Sequence, residues 1–139
     1  VVFARFEFAL KDAGYVFSDH GRASPDWHAF QKDVAAAFGE PSPAEAVALH
    51  ALTHEPPLRQ MLRKGRLSWE PTPLDGPPIV QAPAAARQVR NNLFHGGKHT
   101  PHSPEGRDAA LVSASLTVLN ACLQRHKCVR EAFDQLQSN

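Results

Sequence analysis

The chain has 139 residues, enough for one domain of ordinary size, and its 15 Lys and Arg against 14 Asp and Glu leave a net charge of +1. That balance excludes overall charge as the basis of polyanion binding. Two cysteines exclude a disulfide framework, and the lack of an apolar run of about 18 residues excludes a membrane-spanning helix. The N-terminus has no basic-then-apolar signal layout, so a cytoplasmic location without membrane association is expected. The chain begins at Val1 rather than Met, so preceding residues are expected in the natural protein.

Residues 1–14 read as a helix. Phe3, Phe6, Leu10 and Ala13 recur at helical spacing and Gly14 ends it. Arg5 and Glu7 flank that stripe as surface charges. Tyr15 to Ala23 reads as a loop. Ser24-Pro25 starts a second helix, with serine as cap and proline in the first turn. Trp27, Phe30, Val34, Ala37 and Phe38 are its buried stripe, and Gly39 closes it. Ser42-Pro43-Ala44-Glu45 is a capping box that opens a third helix running to about Thr53. Val47, Ala48, Leu49 and Leu52 are expected to point inward. His50 and His54 share a face of this helix and, lacking a third ligand, read as surface histidines.

Pro56-Pro57 stops the third helix. Leu58–Lys64 suits a short helix or turn broken by Gly65, and Leu67 and Trp69 mark a short extended piece. Arg59, Arg63, Lys64 and Arg66 in this region read as a solvated basic face. Residues 71–78 are proline-rich and form a loop. A fourth helix begins near Pro78 or Pro83. Ile79, Ala82, Ala86, Val89 and Leu93 keep one face, so Pro83 either kinks one helix or sits in the first turn of a shorter one. His99 to Gly106 is a polar loop. Ser103-Pro104-Glu105 starts a last helix through Leu111, Val118, Leu119, Cys122 and Leu123, continuing past Lys127 to Leu136. Cys122 and Cys128, six apart on it, point in different directions and do not bridge. The expected fold is all-α, a compact bundle of four to five helices in a single domain over 1–139.

One stretch carries the chemistry. Arg87 to Lys98 holds Arg87, Arg90, Asn91, Asn92, Phe94, His95 and Lys98, and no Asp or Glu occurs from Gly76 to Pro104. Such a local positive field suits an anionic partner. At ~100° per residue, Ala86, Val89 and Leu93 form a core side. Arg87, Asn91 and His95 line the opposite side, with Arg90 at its edge. Phe94 falls among the polar residues, either as a lone exposed ring or as a contact with a second chain. Arg90 and His95 diverge by roughly 140° around the helix. Either unwinding before Gly96-Gly97 brings them together, or two chains pair so that two Arg/His sets line one cleft. An arginine fork binds phosphate and stays charged. Histidine moves protons near neutrality, and a helix C-terminus favours its charged form. Asn91 orients the ring or contacts ligand, and Arg87, Asn92 and Lys98 supply substrate contacts. This kit needs no metal or cofactor to cleave RNA. DNA lacks the required 2′-hydroxyl.

Arg90-Asn91-Asn92-Leu93-Phe94-His95-Gly96-Gly97-Lys98 resembles the Arg-x4–6-His signature of the HEPN superfamily (higher eukaryote and prokaryote nucleotide-binding domains). Arg5–Lys11, Asp26-Trp27, Pro56-Pro57 with Leu67-Ser68-Trp69, and Arg107-Asp108 resemble a small bacterial subgroup of it. The resemblance implies an α-helical bundle and a homodimer with the motif at its interface. It also implies metal-independent endoribonuclease activity in toxin–antitoxin, phage-defence or related stress systems. Arg90 and His95 match the catalytic pair and Asn91 the assisting polar residue. Gly97 stands where toxins paired with a nucleotidyltransferase antitoxin often carry tyrosine, which argues against that partner. The expected partners are RNA, a second copy through Phe94, and an antitoxin or defence-system protein. One rival is a non-catalytic module binding nucleotide, RNA or a protein. Another is a metal site built from His95, His99 and His102.

Overall fold

A computed structural model of the protein describes residues 2–94 and 106–138, without the side chains of Phe94, Gln137 and Ser138. Among the described residues the element order is α1 (Val2–Asp12), β1 (Val16–Asp19), β2 (Arg22–Pro25), α2 (Trp27–Ala37), α3 (Pro43–His54), β3 (Leu58–Arg63), β4 (Arg66–Pro71), α4 (Pro78–Phe94), α5 (Arg107–Gln124) and α6 (Lys127–Ser138). Two antiparallel hairpins, β1–β2 and β3–β4, make the fold mixed α/β and overturn the expected all-α bundle.

Both hairpins turn in the same way. His20-Gly21 joins β1 to β2 at φ 51° and 86°, and Lys64-Gly65 joins β3 to β4 at φ 50° and 77°. Positive φ at both central residues is the type I′ turn, whose twist matches that of paired strands. The first hairpin replaces the expected loop at Tyr15–Ala23, and the second replaces the expected helix or turn at Leu58–Lys64. The extended piece at Leu67–Trp69 is the middle of β4.

The second helix starts differently from its sequence signals. Ser24 and Pro25 pair within β2, opposite Phe17 and Val16. The cap is Asp26, whose carboxylate accepts from the Ala29 amide at 3.1 Å. The third helix starts as its capping box predicts. Ser42 N donates to Glu45 Oε1 at 2.8 Å, and Glu45 N donates to Ser42 Oγ at 3.2 Å. Ala48, Leu49 and Leu52 are buried, whereas Val47 is 70% exposed and not inward. Helix α4 is continuous from Pro78, with buried Pro83 inside it. The proposed single last helix is two. It breaks at Arg125-His126, placing Cys122 buried on α5 and Cys128 exposed on α6, both as free thiols. His126 caps α6, its Nδ1 accepting from Val129 N at 3.3 Å.

The chain forms two compact units, Val1–Gly39 with Asn120–Asn139, and Glu40–Leu119. In the first, Phe6 stacks on Trp27 with ring centroids 5.2 Å apart and meets Phe30 edge-on at 5.6 Å. Leu10, Val34, Cys122, Val129 and Phe133 complete this core. Each fully buried large side chain contributes about 1.5–3 kcal/mol. The expected surface charges on α1 belong to this core's rim. Arg5 donates to the Phe133 carbonyl at 3.2 Å and lies over its ring, and Glu7 accepts from the Trp27 indole at 2.8 Å. In the second unit, Ala82, Ala85, Ala86 and Val89 of α4 are buried, as are Leu49 and Leu52 of α3 and Leu111 and Val118 of α5. Small side chains on α4 let its backbone approach α3 closely.

Candidate functional site

Helix α4 ends in the focal stretch. Its core side follows the predicted face through Val89, but Leu93 is 42% exposed. Arg87 and Arg90 are half-buried in the last two turns, and Asn91 is exposed. Asn92 is half-buried and tied into the protein. Its Nδ2 donates to the Leu58 carbonyl at 2.6 Å, and its Oδ1 accepts from Gln88 Nε2 at 2.8 Å. The amide of this expected substrate contact clips the end of α4 to the first residue of β3. His95 and Lys98 lie outside the described residues, as do the side chain of Phe94 and the rival ligands His99 and His102. The structure therefore brings Arg90, Asn91 and Asn92 onto the end of one helix, and gives no separation between Arg90 and His95.

A second cluster lies in the same unit. A cleft of about 200 Å³ is lined by His50, Ala51, His54, Glu55, Arg107, Ala110 and Leu111. The His50 and His54 rings stack with centroids 4.6 Å apart and planes 17° from parallel. Arg107 Nη1 donates to Glu55 Oε2 at 3.1 Å, and its Nη2 donates to the Glu55 carbonyl at 2.6 Å. The two histidines expected to share a helix face do so, and they border a concave site that the sequence did not reveal. Its lining combines apolar Ala51, Ala110 and Leu111 with the two imidazoles and the Arg107–Glu55 ion pair. Such a lining suits a small planar group. Among the described residues no group of three or more His, Cys, Asp or Glu side chains is arranged to hold a metal ion.

The first unit holds a polar chain. Tyr15 Oη donates to Asp33 Oδ2 at 2.6 Å and lies 2.7 Å from His126 Nε2. Because His126 Nδ1 accepts the Val129 amide, the neutral ring carries its proton on Nε2 and donates it to Tyr15. Burial, then the hydrogen bond to Asp33 and its charge, then Cys128, push the Tyr15 phenol from 10.0 up to about 12. A phenol held that far from neutrality is a poor proton shuttle, so this chain joins structural elements. On β3–β4, Arg63 forks onto Glu70 with Nε and Nη2 at 2.9 and 2.8 Å. That hydrogen bonding holds the Glu70 carboxyl below its usual range and raises Arg63.

Among the described residues no helix is long and apolar enough to cross a membrane. No protein-family model, no curated protein and no solved structure matches the chain.

Proposed function

We propose that the protein is a metal-independent endoribonuclease that works as a homodimer, with Arg90 and His95 as the catalytic pair and Asn91 assisting. The observation that carries this reading is the Arg90-Asn91 pair in the final turns of α4, on the run that leads into His95-Gly96-Gly97-Lys98. The run from Gly76 to Pro104 without Asp or Glu and the Asn92 clip, which fixes the end of α4, support it. In this chemistry the ribose 2′-hydroxyl attacks the adjacent phosphorus and the bond to the 5′-oxygen breaks. A 2′,3′-cyclic phosphate and a 5′-hydroxyl result. Arginine steadies the negative charge on the phosphorane, and histidine moves protons. Such a nuclease suits growth arrest or phage defence in a bacterial cytoplasm, under an antitoxin or other regulatory protein.

Purified protein incubated with total RNA tests the reading. Cleavage is expected to persist in EDTA and to spare DNA. Arg90→Ala and His95→Ala are each expected to lose at least about 100-fold in rate while melting like the parent. Full activity in either variant sinks the proposal. The His50–Arg107 cleft favours a second reading, a module that binds nucleotide or RNA without cutting. RNA retained without cleavage products selects that one.

A further inference from the structure

One imidazole sits at the start of α6 and faces two ways. The His126 carbonyl accepts from Arg130 N at 3.0 Å, and its Nδ1 accepts from Val129 N at 3.3 Å, so His126 caps the helix with both backbone and ring. On the other side, His126 Nε2 lies 2.7 Å from Tyr15 Oη, which donates to Asp33 Oδ2 of α2 at 2.6 Å. The ring meets Tyr15 edge-on and lies tilted against Phe30, with centroids 5.2 and 5.5 Å away. Nδ1 therefore works as an acceptor towards α6 and Nε2 as a donor towards Tyr15. Only a neutral imidazole with its proton on Nε2 fills both parts, because the imidazolium has two donors and no acceptor. Serine, threonine and asparagine caps keep their acceptor at any pH, whereas a histidine cap loses it on protonation.

We propose that His126 is an acid-sensitive latch on α6. Protonation places an N–H on Nδ1 against the Val129 N–H, so the first turn of α6 loses its cap while Nε2 stays on Tyr15. The added proton and the capped turn exclude each other, so falling pH favours the uncapped form. Asp33 attracts the charged ring through Tyr15, but that link is the same whether the turn is capped or not. The groups on the ring's other side all favour its release from α6. The helix start is the positive end of the dipole, and Arg125, Lys127 and Arg130 add positive charge around it, with Lys127 offset by Glu131 at 3.9 Å. Cys128, exposed on the same turn, takes no part in either hydrogen bond of the ring. Uncapping reaches the core, because Val129 is fully buried and Phe133, one turn on, meets Phe6 with centroids 6.4 Å apart. Acid therefore loosens a turn that seats a core side chain.

The latch lies in the first unit, apart from the residues of the ribonuclease reading, and its test involves no RNA. Two-bond proton–nitrogen spectra of the full chain read the His126 tautomer directly. A ring protonated on Nε2 is expected at neutral pH, and one protonated on Nδ1 overturns the proposal. Amide exchange is then followed from neutral pH to about pH 5, as protection relative to an unstructured chain at the same pH. Protection at Val129 and Arg130 is expected to fall about fivefold, the ordinary worth of a helix cap, while Phe30 and Val34 of α2 keep theirs. His126→Asn supplies an acceptor that does not titrate and is expected to hold the protection flat across the range. His126→Ala is expected to show the low, acid level throughout. Unchanged protection at Val129 in the parent overturns the proposal. So does an acid loss in His126→Asn that matches the parent's, which assigns the sensitivity to another group. Should the variants fail to fold, the parent alone decides. Its loss of protection is expected to follow the titration of the His126 ring, and a loss centred at a different pH overturns the latch.

Discussion

At the scale of single residues, Asn91 and Asn92 are neighbours in different settings. Asn92 donates to the Leu58 carbonyl and accepts from Gln88, whereas Asn91 faces solvent. Asn92→Ala strips partners from half-buried polar groups and is expected to cost about 1–2 kcal/mol in urea denaturation. Asn91→Ala is expected to stay within about 0.5 kcal/mol of the parent and to act on RNA turnover instead. A helical wheel separates these two positions but does not say which one the protein itself uses. Tyr15 offers a second test, since it is the chain's one tyrosine. Its folded pKa of about 12 exceeds the ordinary 10.0, so the unfolded chain releases this proton first. The stability that Tyr15 contributes is therefore complete below the unfolded value and falls as pH rises through 10.0 towards about 12. Phenolate absorbance of the folded protein is expected to titrate near the upper value, and Tyr15→Phe is expected to remove that alkaline slope. The Tyr15–Asp33–His126 chain left no trace in the sequence, because its members lie 18 and 111 positions apart.

At the scale of elements, what could be read depended on whether the signal was local. Helix α3 was legible because Ser42, Pro43 and Glu45 specify its start within one turn. Helix α2 was legible in its aromatic stripe but not in its cap, since Ser24-Pro25 and Asp26 compete for one role and pairing within β2 decides between them. The hairpin β1–β2 was hidden. All four residues of β1 are exposed, so no alternation between apolar and polar marks it, and its turn uses His-Gly instead of Asn-Gly. The break between α5 and α6 was hidden for a similar reason. Neither Gly nor Pro marks Arg125-His126, and a cap formed by a histidine ring has no strong sequence signature. The turns can be tested directly. A methyl group at Gly21 or Gly65 meets nothing within 4 Å, so the cost of alanine there is set by backbone conformation alone. Gly21→Ala and Gly65→Ala are each expected to lose about 1–2 kcal/mol by denaturant midpoint. A negligible change at either position is incompatible with a type I′ turn there.

At the scale of the whole molecule, the proposed chemistry depends on how many chains make one site. The fold class was misread because two short hairpins carry little periodic signal beside six helices among the described residues. The candidate motif was legible, since it is contiguous, whereas its geometry depends on residues beyond the end of α4. A mixing experiment addresses that geometry. Arg90→Ala chains retain His95, and His95→Ala chains retain Arg90. If the two Arg/His sets of a dimer share one cleft, mixing the inactive variants is expected to restore part of the cleavage rate. A site confined within one chain predicts no recovery at any mixing ratio, and concentration-dependent sedimentation reports whether mixed dimers are available.

The two free thiols turn the break between α5 and α6 into a clock. Cys128, exposed on α6, is open to an alkylating reagent in the folded protein. Cys122, 0% exposed on α5, reacts only when its surroundings open. A time course of the second modification by intact mass therefore measures the opening rate of the unit that holds it, in native buffer and without denaturant. Repeated with RNA present, the same clock reports whether RNA slows that opening.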